Sequence, residues 1–153
     1  MNQPLSAGDL CTRTVVVAER KLVLNEAARL MREHHVGCLV VVDQTPDGRF
    51  PVGLLTDRDI VTAVVAKDID VSTLCVEDVM SSGPVTACEA DSLLDTLAAM
   101  RRAGIRRVPV TDARGVLQGL LALDDVIEII GEQISLLVRV LESSSRRELQ
   151  RRS

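Results

Sequence analysis

Residues 53–60 read GLLTDRDI, and residues 119–126 read GLLALDDV. In the first stretch an apolar run gives way to Thr56, Asp57 and Asp59, so one hydroxyl and two carboxylates gather at the start of an expected helix. Two kinds of chemistry fit them. The Thr56 hydroxyl can accept an N–H of the first helical turn while Asp59 favours the positive helix end, and that cap alone accounts for the residue types. A carboxylate placed there can also accept hydrogen bonds from both hydroxyls of a sugar, with the threonine hydroxyl and the free N–H groups beside it meeting a phosphate. In the second stretch Ala122 replaces the threonine, and Asp124 offers a substitute cap.

Other reactive side chains form weaker patterns. His34, His35 and Cys38 could contribute to a zinc site, but three candidates without a fourth fall short of a metal signature. A cysteine nucleophile with a histidine base would use the same residues, yet Cys38 opens an apolar strand, where thiols are buried and inert. A hydrolase built on Asp57, Asp59 and Asp125 lacks an independent nucleophile or metal cluster. Arg58, Arg106 and Arg107 carry guanidinium groups suited to phosphate oxygens, although each also reads as an ordinary surface arginine. Cys11, Cys38, Cys75 and Cys88 contain no CxxC pair and read as structural thiols.

The elements that must position these groups come from an internal repeat. Placing each residue over the one 69 positions later matches Asp9 with Asp78, Val16 with Val85, Leu24 with Leu93, Met31 with Met100 and Val41 with Val110. After the segment QTPDGRFPV (44–52), read as a loop three residues longer than ARGVLQ (113–118), the offset becomes 66. Each copy reads as a short strand (15–17 or 85–86), an amphipathic helix and a β-branched strand (38–42 or 108–110). A Gly-containing turn, a second strand (52–55 or 116–121) and a closing helix at 57–66 or from Asp124 complete the unit. The helical faces are expected at Leu24, Ala28 and Met31 and at Leu93, Leu97 and Met100, with Asp91 as N-cap and Gly104 as stop; Pro109 is expected at an edge or strand start. A β-α-β-β-α unit of this size cannot hide an apolar sheet face alone, so two copies should share a core.

The expected boundaries are 8–67 for the first repeat, 68–75 for a linker, 76–131 for the second repeat, and 132–153 for a helical extension with a basic tail. Apolar positions in the extension run through Val126, Ile127, Ile130, Ile134, Leu137, Val138 and Leu141. They could cover the chain's own core or pair with another subunit, and a two-fold homodimer is expected. With 153 residues, 46% of them hydrophobic, and a net charge of −4, the chain reads as a soluble globular protein with no general attraction to nucleic acid. It has no apolar run long enough for a bilayer, and MNQPLSAGDL lacks the pattern of an export signal, so a cytoplasmic location without a membrane partner is expected.

Taken together, the tandem β-α-β-β-α units, the junction G-h-h-T-x-x-D, the centres LMREHHVGCLVVVD and AMRRAGIRRVPVTD, and the stretch VEDVMSSGPVTA resemble a pair of CBS domains, over about residues 8–130. The resemblance implies an α/β (α+β) fold of two CBS repeats packed sheet to sheet with pseudo-two-fold symmetry. It also implies a non-catalytic regulatory module that binds an adenosine ligand (AMP, ADP, ATP, NAD or S-adenosylmethionine) between the repeats, needs no other cofactor and signals to an effector protein. Carried over by position, one cleft would use Val16, Val36, Gly37, Cys38, Thr56, Arg58 and Asp59. A second would use Val85, Ile105, Arg106, Arg107 and Asp125, with phosphate binding in doubt at Ala122. With Phe50 the only aromatic residue, a base would be held by aliphatic side chains and backbone groups. A ligand-free dimerisation module is the alternative.

Overall fold

The computed structural model describes residues 4–152; the first three residues of the amino-terminal stretch and Ser153, at the end of the expected tail, lie outside it. The chain divides into a large unit up to Leu121 and a second unit from Ala122 onward. In the large unit the first repeat runs β1 (Val17–Glu19), α2 (Leu24–His34), β2 (Cys38–Thr45), β3 (Gly48–Thr56) and α3 (Asp57–Ala63), preceded by the short α1 (Ala7–Leu10). The second runs β4 (Ser81–Ser82), β5 (Ala87–Cys88), α4 (Leu93–Ala103), β6 (Arg107–Thr111) and β7 (Leu117–Ala122). The strands form two sheets, ordered β1-β2-β3-β4 and β5-β6-β7.

β2 has a near-continuous apolar sequence because both of its faces are covered. Leu39 and Val41 point into a core with Leu24, Ala27, Met31 and Leu55, whereas Val40 and Val42 meet Leu117 of β7, with Val15, Val17, Leu54 and Leu120 packed around them. Alternate residues of one strand thus serve the repeat's own helix and the opposing sheet. The paired leucines at 54–55 divide the same way.

Each repeat borrows its outer sheet pairing from the other. The segment leading into the second repeat pairs β4 with β3 (Gly53 with Ser82, Leu54 with Ser81), and the segment leading into the first exchanges N–H···O bonds between Thr12 and Leu120 at 2.9 and 3.0 Å. Both crossings are tight. A Cβ on Gly53 would lie 2.7 Å from Met80 Sδ and 2.9 Å from the Ser81 carbonyl oxygen; one on Gly119 would lie 2.5 Å from Cys11 Sγ and 2.8 Å from the Thr12 carbonyl oxygen. The glycine that opens GLL in both copies is therefore required by the backbone crossing over it.

Several expectations need correction. The buried positions of α2 are Leu24, Ala27 and Met31, and those of α4 are Leu93, Thr96 and Met100, so the inward face includes Ala27 and Thr96 in place of Ala28 and Leu97. Thr96 tolerates burial because its hydroxyl donates to the Ser92 carbonyl at 3.0 Å. Ser92 caps α4 by accepting from Asp95 N–H at 3.1 Å, while Asp91 accepts from Cys88 N–H at 2.8 Å. Gly104 does stop its helix, at φ 65°, and His35 does the same for α2 at φ 53°. The expected loop at 44–52 is a hairpin, since β2 and β3 extend to Thr45 and Gly48 around a tight turn. Pro109 sits within the middle strand of its sheet rather than at an edge, tolerated because β5 pairs only with Val110 and Thr111. The first strand of each copy begins later than expected, at Val17 and Ala87, and α3 ends at Ala63 before a 3₁₀ turn, Val65–Lys67.

The second unit is one helix, α5 (Leu123–Arg152). No helix among the described residues is long and apolar enough to cross a membrane.

The crossings give a direct test. Gly119→Ala should lower stability by about 1–3 kcal/mol through overpacking. Gly131→Ala, where a Cβ would meet no atom within 4 Å, should be neutral or stabilise by up to about 1 kcal/mol. Thermal melts of the two variants beside the parent decide the matter; equal melting temperatures would show that the crossing over Gly119 can yield.

Candidate functional site

The junction at Thr56 is built by the end of β3 and the start of α3. Cys38 pairs with Thr56 across the ladder, and Asp57 N–H donates to the Gly37 carbonyl at 3.0 Å. Thr56 and Asp59 form a reciprocal capping box: Asp59 N–H donates to Thr56 Oγ1 at 3.2 Å, and Thr56 N–H donates to Asp59 Oδ2 at 2.9 Å. Arg58 N–H donates to the carboxylate of Asp57 at 2.8 Å. The N–H groups of 57, 58 and 59 are thus all engaged, which corrects the expectation of free N–H groups beside Thr56. Similar carboxylate back-bonds occur at Ser6/Asp9 and Cys75/Asp78, so the capping geometry is a recurrent local device in this chain.

What distinguishes Thr56 and Asp59 is the space in front of them. A cleft of about 620 Å³ is lined by Thr56, Asp57, Arg58 and Asp59 from the first repeat and by Ser81 to Val85 and Ala103 to Arg107 from the second. It falls within the range of ligand pockets, about 300–1,000 Å³. The cleft therefore joins Thr56, Arg58 and Asp59 of the first expected set to Val85, Ile105, Arg106 and Arg107 of the second. Val16, Val36, Gly37 and Cys38 are not in its lining. Val16 and Val36 pack against the core of the first repeat, and Gly37 lies behind Asp57, whose carboxylate oxygen would be 3.0 Å from an added Cβ. Asp125 belongs to the second unit.

The regrouping follows from topology. Residues 81–82 add to the first repeat's sheet, so the segment that continues into Val85 passes directly in front of Thr56. The two expected cleft sets left out Asp57, which the sequence had marked only as a carboxylate at the helix start, and the stretch Ser81–Pro84. The small polar run before Val85, with Gly83 at φ 62°, was the available signal, but its position depends on the exchange of lead-in segments, which the repeat alignment alone does not reveal.

Charge in the cleft is mixed: three arginines face two aspartates. Arg58 and Arg107 form no ion pair among the described residues, and Asp59 lines the space while its Oδ2 serves the cap. Cys38, 7% exposed, lies just behind. Burial pushes its thiol up to about 11, opposed by the Arg107 guanidinium and reinforced by Asp59 and Asp57. Among the described residues no three His, Cys, Asp or Glu side chains come together as a metal site.

These features define a module of two interlocked repeats with a ligand-sized cleft between them. The CBS domain matches residues 7–66 and 76–132, and the chain belongs to the CBS-domain family, whose tandem pairs are regulatory modules. It is 30% identical over 125 residues to an uncharacterized protein of Methanopyrus kandleri, covering 82% of this chain and 62% of that one. It is 36% identical over 121 residues to the CBS domain-containing protein YhcV of Bacillus subtilis, covering 79% and 82%. Among solved structures, the CBS domain pair of protein MJ0100, in complex with 5'-methylthioadenosine and S-adenosyl-L-methionine, superposes with a TM-score of 0.73 at 24% identity, covering 86% of this chain and 99% of that one.

The raised Cys38 thiol makes a chemical prediction. The neutral form is favoured by folding, so its contribution is complete below the unfolded pKa and is lost as pH climbs towards about 11. At pH 8 burial therefore keeps Cys38 in its neutral thiol form. Iodoacetamide should spare Cys38 in the native protein and label it after unfolding in urea, as read by peptide mass spectrometry; rapid native labelling would contradict the buried placement.

Proposed function

We propose that this chain is a nucleotide-responsive regulatory module that binds an adenosine compound bearing phosphate in the cleft between its repeats. The observation carrying this reading is the convergence in one cleft of the Thr56–Asp59 corner of the first repeat with Val85 and Ile105–Arg107 of the second. Asp59 Oδ1 accepts from the ribose hydroxyls. Val85 and Ile105 flank the base, which has no aromatic partner within the lining. Because the first-turn N–H groups are engaged, Arg58, Arg106 and Arg107 are the groups that meet phosphate. The bound ligand touches both repeats, so its affinity depends on their relative setting, and that dependence is how occupancy would be transmitted to an effector protein. Val16, Val36, Gly37 and Cys38 lie outside this cleft.

The chain has no Trp or Tyr, so copurified nucleotide should appear as absorbance near 260 nm over a low background. Titration calorimetry with AMP, ADP, ATP, NAD and S-adenosylmethionine then ranks ligands. Arg107→Gln should weaken the preferred nucleotide at least tenfold, about 1.4 kcal/mol, with the ligand-free melting temperature unchanged. Asp59→Asn should weaken adenosine binding as well. Absence of binding by every nucleotide at millimolar concentration would leave the cleft as a by-product of a dimerisation module.

A further inference from the structure

The charges of the cleft are sorted by depth. Thr56, Asp59, Ile105 and Arg107 are half-buried, whereas Asp57, Arg58 and Arg106 are exposed at the rim. Arg107 reaches inward: its guanidinium acts on the buried Cys38 thiol, one strand behind Thr56, and opposes the rise that burial imposes there. The floor thus holds one guanidinium and one carboxylate, and the rim adds two guanidiniums against one carboxylate. At the rim the Asp57 carboxylate already accepts the backbone N–H of Arg58 at 2.8 Å, and the Arg58 side chain forms no ion pair among the described residues.

The repeat does not impose these cations. Under the offsets of 66 and 69, Arg58, Arg106 and Arg107 match Asp124, Gly37 and Cys38, so each guanidinium stands where the other copy carries an acid or no charge. Three like charges gathered around one space repel one another, and an anion carrying more charge than a single phosphate offsets that cost best. Given a nucleotide in the cleft as proposed above, we propose that the rim arginines read the phosphates beyond the first, so that the cleft ranks adenine nucleotides by phosphate number. The ribose on Asp59 and the first phosphate on Arg107 fill the floor. Further phosphates extend to the rim, where Arg58 from the first repeat and Arg106 from the second meet them from two sides. A monophosphate leaves both rim cations unmatched. Arg58 is the specificity-determining residue open to test, because its side chain is exposed and its removal breaks no ion pair of the fold.

Titration calorimetry of the full chain in EDTA should show ATP binding at least about tenfold more tightly than AMP, with ADP between them. Arg58→Gln should cost ATP several times more affinity than it costs AMP, and Arg58→Lys, which keeps the charge, should recover most of the gap. Arg107→Gln, at the floor, should weaken all three nucleotides by a similar factor. Ligand-free melting curves confirm that each variant is folded. Equal affinities of the parent for AMP and ATP, or an Arg58→Gln variant that weakens both alike, would overturn the ranking by phosphate number and leave the nucleotide reading standing. Failure of all three nucleotides to bind at millimolar concentration would overturn both.

Discussion

Two backbone crossings hold the large unit together. At Gly53 the segment Met80–Ser81 passes against β3, and at Gly119 the segment Cys11–Thr12 passes against β7, each at a separation no side chain could share. Much of the remaining arrangement depends on these contacts. They fasten each repeat's leading segment to the other repeat's sheet and align the inner faces where Val40 and Val42 meet Leu117. They also set Ser81–Val85 before the Thr56 corner, which creates the cleft. The apolar interior then excludes water from a geometry that backbone approach has already chosen.

Much of this was legible in the residues. Strand and helix order followed from periodicity, the helix stop at Gly104 from the ease with which glycine takes positive φ, and the two-copy architecture from the offset of 69. The helical faces turned by one position, to Ala27 and Thr96 three residues after Leu24 and Leu93, and the buried Thr96 hydroxyl is satisfied within its own helix. Pro109 defied a local rule because the shortness of β5, a property of another segment, relieved it of a pairing partner.

The candidate site was legible by residue but not by grouping. Val85, Thr56, Asp59 and Ile105–Arg107 were each expected in a cleft, and repeat symmetry assigned them to two. A sequence alignment superposes equivalent positions, whereas a cleft between repeats joins inequivalent ones. The crossed leading segments decide which inequivalent positions meet, through backbone pairing at Gly53 that leaves little trace beyond a glycine.

The capping box has a consequence of its own. α3 spans seven residues and meets the core only through the partly buried Ile60 and Ala63, so its first turn contributes much of what keeps it wound. That turn is fastened by the Asp59 carboxylate, the same group that faces the cleft. A molecule drawing this carboxylate away would slacken the helix, and one tolerating the shared oxygen would tighten it. Two ligands of equal affinity could therefore leave the chain with different stiffness, and a partner resting on α3 would distinguish them by how readily the helix frays.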